Sequence, residues 1–77
     1  MLPIRDHMTL RLAATPYKFP AAREADALEL LGYRPAIFWR RVNHLLDQPA
    51  AVVVMPVEVG RLRRLRERRA GARRVVA

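Results

Sequence analysis

The stretch "PAAREADALELLGYRPAIFWRRVNHLLDQP", residues 20–49, decides how this chain folds. Pro20 can occupy a first helical position, Glu24 sits in the first turn where the helix dipole favours a negative charge, and Gly32 stands just past the last leucine. A helix is therefore expected between Pro20 and Leu31. Ala21, Ala25, Leu28 and Leu31 fall on one face of it, with Glu24, Asp26 and Glu29 left for solvent or for partner arginines. A second helix is expected to begin at Pro35 and to stop before Pro49, because a residue preceding proline is pushed out of the helical region. Phe38, Trp39, Val42, Leu45 and Leu46 lie within an arc of about 120° and form its core stripe. Ile37, Arg40, Arg41, Asn43 and His44 lie on the opposite arc, with Arg34 just ahead of it.

On either side of this pair the signal weakens. Within residues 1–19 "MTLRLAAT" could make a short helix, but Pro16 and Pro20 bracket "YKF", so the segment is poorly defined. Tyr17 and Phe19 are expected to fold back over the core. After Pro49, "AAVVVM" has the β-branched character of a short strand, yet no second strand is available to pair with it. An apolar linker or a short helical turn ending at Pro56 fits better. A last helix then starts near Pro56, with Glu58 in its first turn and Gly71 as its expected stop. Its apolar seam is Val59, Leu62 and Leu65. The fold class is all-α: a helix-turn-helix-like core over residues 20–60 and an arginine-rich C-terminal helix or tail over residues 61–77.

A chain of 77 residues buries only about 60–65% of its unfolded surface, so it has little bulk with which to enclose a deep substrate pocket. There is no cysteine, and His7 and His44 lack the spacing of a zinc site or a catalytic dyad, so neither an enzyme nor a cofactor is expected. "MLPIRDHMTL" carries charges where a secretory signal would be apolar, and "PAAVVVMPV" is roughly half the length needed to span a bilayer. A cytoplasmic protein is expected, with no membrane partner.

Net charge is +8, and its placement matters more than its size. Residues 1–60 hold seven basic and six acidic side chains, whereas residues 61–77 hold eight arginines against Glu67 alone. Fourteen arginines to one lysine fit a GC-rich genome, so the functional signal is the clustering rather than the choice of arginine. Such a tail repels itself, and a polyanion relieves that repulsion.

Two helices joined at a glycine, the second basic on its outer side, have the layout of a helix-turn-helix DNA reader. Arg34, Arg40 and Arg41 could meet guanine edges or phosphates, Asn43 adenine or phosphate, and Ile37 a thymine methyl, with His44 beside them. Arg61, Arg63, Arg64, Arg66, Arg68 and Arg69 would then contact phosphates, which set affinity and register but not sequence. Each residue also has a plainer reading. Arg40 and Arg41 would be a solvated face paired with Glu24 or Asp47, Asn43 and His44 surface residues, Trp39 core, and the tail a solubilising segment.

The run "AREADALELLGYRPAIFWRRVNHLLDQPAA", followed by "PVEVGRLRRLR", resembles a family of small, uncharacterised actinobacterial proteins with a helix-turn-helix-like core. The resemblance rests on Glu24, Ala27, Gly32, Phe38, Trp39, Asn43, Leu45, Asp47, Pro49, Pro56 and the closing "RLRRLR" of residues 61–66, and it spans residues 20–66. It implies a fold and a class rather than an activity. The sequence departs from that pattern at Arg34 and Pro35, where the family carries a small hydroxyl residue, and in a proline-broken segment where the family has an amino-terminal helix. A shortened or phage-borne relative would show both departures. Double-stranded DNA is the expected partner, bound by a transcriptional regulator or a nucleoid-type protein. RNA or the ribosome is the alternative, as is a homodimer or a protein partner, such as the transcription machinery, held through Val59, Leu62 and Leu65.

Overall fold

A computed structural model describes the backbone of residues 1–76 and the side chains of residues 1–71. Five helices run in chain order: α1 (Ile4–Ala14), α2 (Pro20–Leu31), α3 (Pro35–Leu46), α4 (Pro49–Val54) and α5 (Pro56–Val76), with no strand among the described residues. The fold is a small all-α domain. Proline supplies the punctuation: Pro20, Pro35, Pro49 and Pro56 are the first residues of α2 to α5, and Pro3 immediately precedes α1. Proline's fixed φ suits the first helical residue, where its missing N–H has no intrahelical partner to lose.

The turn between α2 and α3 is built on Gly32, whose φ of 73° is the left-handed conformation that a side chain disfavours. Its N–H donates to Leu28 O at 3.0 Å, and the Tyr33 N–H donates to Ala27 O at 3.3 Å, satisfying carbonyls that the helix end would otherwise leave open.

The core joins Leu10 and Ala13 of α1, Ala27 of α2, Phe38, Val42, Leu45 and Leu46 of α3, Ala51 and Met55 around α4, and Val59 and Leu62 of α5. The stripe read from α3 is thus buried as expected, with Trp39 half-buried at its edge and its ring edge-on to Phe38 at 4.9 Å between centroids.

Four expectations change. The segment before Pro16 is well defined: the short helix allowed for "MTLRLAAT" extends back to Ile4, and α1 packs against α2, α3 and α5 and contributes the fully buried Leu10 and Thr9. The Thr9 hydroxyl donates to Arg5 O at 2.7 Å, which lets a polar residue sit there. Phe19 does not cover the core and is 62% exposed, whereas Tyr17 folds back and donates its hydroxyl to Asp26 at 2.6 Å. On α2 the buried residues are Ala27 and Leu31, while Ala21, Ala25 and Leu28 are exposed. The helix turns its Arg23 edge inward, and an alanine-rich helix has no sharp stripe to forbid this. Finally, α5 continues through Gly71 to Val76. No proline follows Gly71, and glycine in a helix interior costs only about 1 kcal/mol relative to alanine, which is too little to end a helix by itself.

Candidate nucleic-acid interface

The outer side of α3 is open. Arg34 at its N-cap, and Ile37, Arg40, Asn43 and His44 along its length, are exposed, and this run from Arg34 to His44 carries no acid. No salt bridge among the described residues engages Arg34 or Arg40. The outward placement follows from the inward one: Phe38, Val42, Leu45 and Leu46 fix the rotation of α3, and the 3.6-residue repeat then sends Arg40 and His44 to the far side. His44 lies 3.4 Å from Gln48 between ring and amide nitrogens, one turn on.

Arg41 does not belong to that face. Its guanidinium reaches back to Asp6 of α1, making contacts of 3.1, 2.9 and 2.8 Å to the two carboxylate oxygens. Asp6 is only 5% exposed. Arg41 sits at the boundary between the buried and outer arcs, so the nearest deeply buried carboxylate captures it, and neither Glu24 nor Asp47 is its partner. The pair is structural.

The basic residues of α5 divide in the same way. Arg63 donates Nε–H and Nη2–H to Leu46 O at 3.0 and 2.5 Å, closing the C-terminal end of α3. Arg66 pairs with Asp47 across 3.3 Å, the Arg66 side chain being part-exposed and that of Asp47 largely exposed. Arg61, Arg64 and Arg68, in contrast, are exposed and fall at i, i+3 and i+7, within an arc of about 60° on the side of α5 away from Val59 and Leu62. Arg69 is exposed too, but it leans toward α3, with its guanidinium 6.0 Å from the Trp39 ring centroid. Arg73 and Arg74 lie outside the described side chains.

The seam expected to receive a protein partner is occupied within the chain: Val59 and Leu62 are buried in the core, and Leu65 packs against it. Self-association through these three residues is therefore set aside.

One functional-looking residue escaped the sequence reading. Arg23 of α2 donates to Thr15 O at 2.6 Å and has its guanidinium 5.0 Å from the Tyr17 ring and 5.9 Å from the Trp39 ring. The available signal was that Arg23 is the single cation in an otherwise acidic helix. The hydrogen bond from the Tyr17 hydroxyl to the Asp26 carboxylate, ahead of desolvation, raises the phenol's pKa above its usual 10.0.

Among the described residues no group of histidine and carboxylate side chains could hold a metal ion, and no helix is long and apolar enough to cross a membrane. Residues 1–74 match the family described as "Protein of unknown function (DUF3263)". No curated protein and no solved structure matches it. The family match takes in α1, so the amino-terminal helix belongs to the shared pattern instead of marking a departure from it.

Proposed function

The chain belongs to the DUF3263 family, whose description assigns no activity, and from the surface it presents we propose that it binds double-stranded DNA. The observation that carries this reading is the open, acid-free side of α3, where Arg34, Ile37, Arg40, Asn43 and His44 converge after a three-residue turn from α2. A helix presented this way suits the major groove, with Arg40 and Asn43 placed for base edges. The Arg61, Arg64 and Arg68 stripe supplies phosphate contacts, which hold the protein on the duplex without reading it. One copy this small reads few base pairs, so a regulator would act with a second copy or a partner, whereas a nucleoid-type protein would need neither. Such a protein works in the cytoplasm without catalysing a reaction. The actinobacterial source and the use of "RLRRLR" as a shared signature belong to the same proposal.

Selection of bound duplexes from a random pool tests it. Arg40→Ala should weaken binding to a selected duplex by about tenfold or more while changing random-duplex binding little. Combined Arg61→Ala, Arg64→Ala and Arg68→Ala should weaken both and flatten the salt dependence by about two to three in log–log slope. Equal losses on both duplexes from Arg40→Ala would remove the base-reading role of α3. A second reading, RNA or ribosome association, is favoured by one observation: the arginine stripe of α5 needs no recognition helix. Tighter binding to structured RNA than to any selected duplex would establish that reading instead.

A further inference from the structure

A cleft of about 350 Å³ opens between α3 and α5, with Ala13 and Arg23 also in its lining. Its floor is apolar, formed by Val42, Leu46 and Leu62, and Trp39 forms one wall. Arg23, Arg66, Arg69 and Asn43 supply its polar lining, and no carboxylate is among the lining residues. The three guanidiniums come from two helices and point their charge at one volume, which repels itself unless an anion fills it.

Two details show that these cations are incompletely satisfied within the fold. The Arg23 Nε is buried and has no hydrogen-bond partner among the described residues, although the same guanidinium is anchored through Nη2 to Thr15 O. A buried N–H left without an acceptor is unfavourable, and a phosphate that drew the Arg23 side chain into the cleft would relieve that penalty. Arg66 has only its 3.3 Å contact to the exposed Asp47, long for a charge-assisted bond and readily exchanged.

We propose that this cleft binds a nucleotide. The phosphates lie among Arg23, Arg66 and Arg69, the base rests against Trp39 and the apolar floor, and the Asn43 amide meets the edge of the base. An apolar floor with one aromatic wall favours a flat ring, and three arginines in the lining favour phosphate. The volume is near the small end of the range for ligand sites, roughly 300–1,000 Å³, which suits a mononucleotide. The proposal does not rest on duplex binding: of the duplex-facing residues it shares only Asn43 and makes no use of Arg40.

Trp39 is the only tryptophan in the chain, so intrinsic fluorescence reports on the site directly. The full chain is titrated with ADP, adenosine and pyrophosphate at matched ionic strength. ADP should give a saturable change, with adenosine and pyrophosphate each weaker by about tenfold or more. Arg69→Ala removes a side chain that makes no hydrogen bond within the described residues, and it should weaken ADP by about tenfold while leaving the melting temperature in place. Arg64→Ala, on the far side of α5, and Arg40→Ala should both leave ADP binding unchanged. A 5′-phosphorylated single-stranded oligonucleotide distinguishes the source. Tighter binding of ADP assigns a free nucleotide and tighter binding of the oligonucleotide assigns a strand end, both sensitive to Arg69→Ala. A response to ADP no larger than that to sodium chloride, or unaltered ADP affinity in Arg69→Ala, would overturn the proposal.

Discussion

Replacing Arg41 with alanine should destabilise the domain by about 2–3 kcal/mol, although Arg41 sits beside Arg40 in a helix whose outer side is basic. The magnitude follows from the asymmetry of the pair: the side chain of Asp6 is 8% exposed and that of Arg41 is 38% exposed. Removing one partner of a fully buried pair costs about 3–5 kcal/mol, because the other charge stays desolvated and unpaired. Arg41 is partly open to solvent, so water can reach the vacated space and the expected loss falls below that range. Asp6→Ala should cost less, about 1–2 kcal/mol, since the guanidinium it frees can turn to water. The double variant should then resemble Asp6→Ala, giving a coupling of about 2–3 kcal/mol in a double-mutant cycle. For a domain this small each kcal/mol moves the melting temperature by about 4–8 °C, so Arg41→Ala should melt about 10–20 °C below the parent in circular dichroism. Asp47→Ala, which opens the exposed Arg66 pair, should move it hardly at all, the pair contributing about 0–1 kcal/mol. Additive effects of Asp6→Ala and Arg41→Ala would refute the reasoning, as would a melting temperature for Arg41→Ala equal to that of Arg40→Ala.

Gly32→Ala should cost about 1–2 kcal/mol by urea denaturation through backbone strain alone, because the added Cβ would meet nothing closer than Arg5 Nη2 at 3.9 Å while φ stays at 73°. Gly71→Ala, with nothing within 4 Å of the new Cβ and a helical backbone, should instead hold or raise helicity. Arg63→Ala should lower stability by about 1–2 kcal/mol in the same assay, since Leu46 O at the end of α3 loses both of its guanidinium donors. Tyr17 has its pKa raised in the folded state by its hydrogen bond to Asp26, so the native protein holds that proton more tightly than the unfolded chain does. The resulting stabilisation is complete below the unfolded phenol's pKa of about 10 and is lost as pH rises through the folded value. Melting curves of Tyr17→Phe above that pH should therefore fall less steeply than those of the parent, and parallel slopes would count against the Tyr17–Asp26 bond.

How far the sequence could be read depended on how local each determinant was. Helix starts at Pro20, Pro35 and Pro56 and the break at Gly32 rest on the φ preferences of single residues, so they were visible without knowing any neighbour. The stripe of α3 was visible for the same reason, since Phe38, Val42, Leu45 and Leu46 repeat at helical spacing. Within the candidate interface this was enough to place Arg34, Ile37, Arg40, Asn43 and His44 on the outer side of α3. It was not enough for α2, where alanines and leucines surround much of the helix and the inward side is chosen by what packs on it.

Pairing among charges is where sequence alone stopped. Arg40 and Arg41 are adjacent and chemically identical, yet one faces solvent and the other holds Asp6 across 35 positions of chain, because only the docking of α1 on α3 brings that carboxylate within reach. The same distinction separates Arg63 and Arg66, tied to the end of α3, from Arg61, Arg64 and Arg68 on the open side of α5. Composition and periodicity determined that the chain would be helical, where most of its helices begin, and that its charge would gather near one end. The tertiary arrangement decided which guanidiniums are tied within the fold and how firmly, since a guanidinium is held by whatever carboxylate or carbonyl oxygen comes within about 4 Å in space, and separation along the chain does not specify that distance.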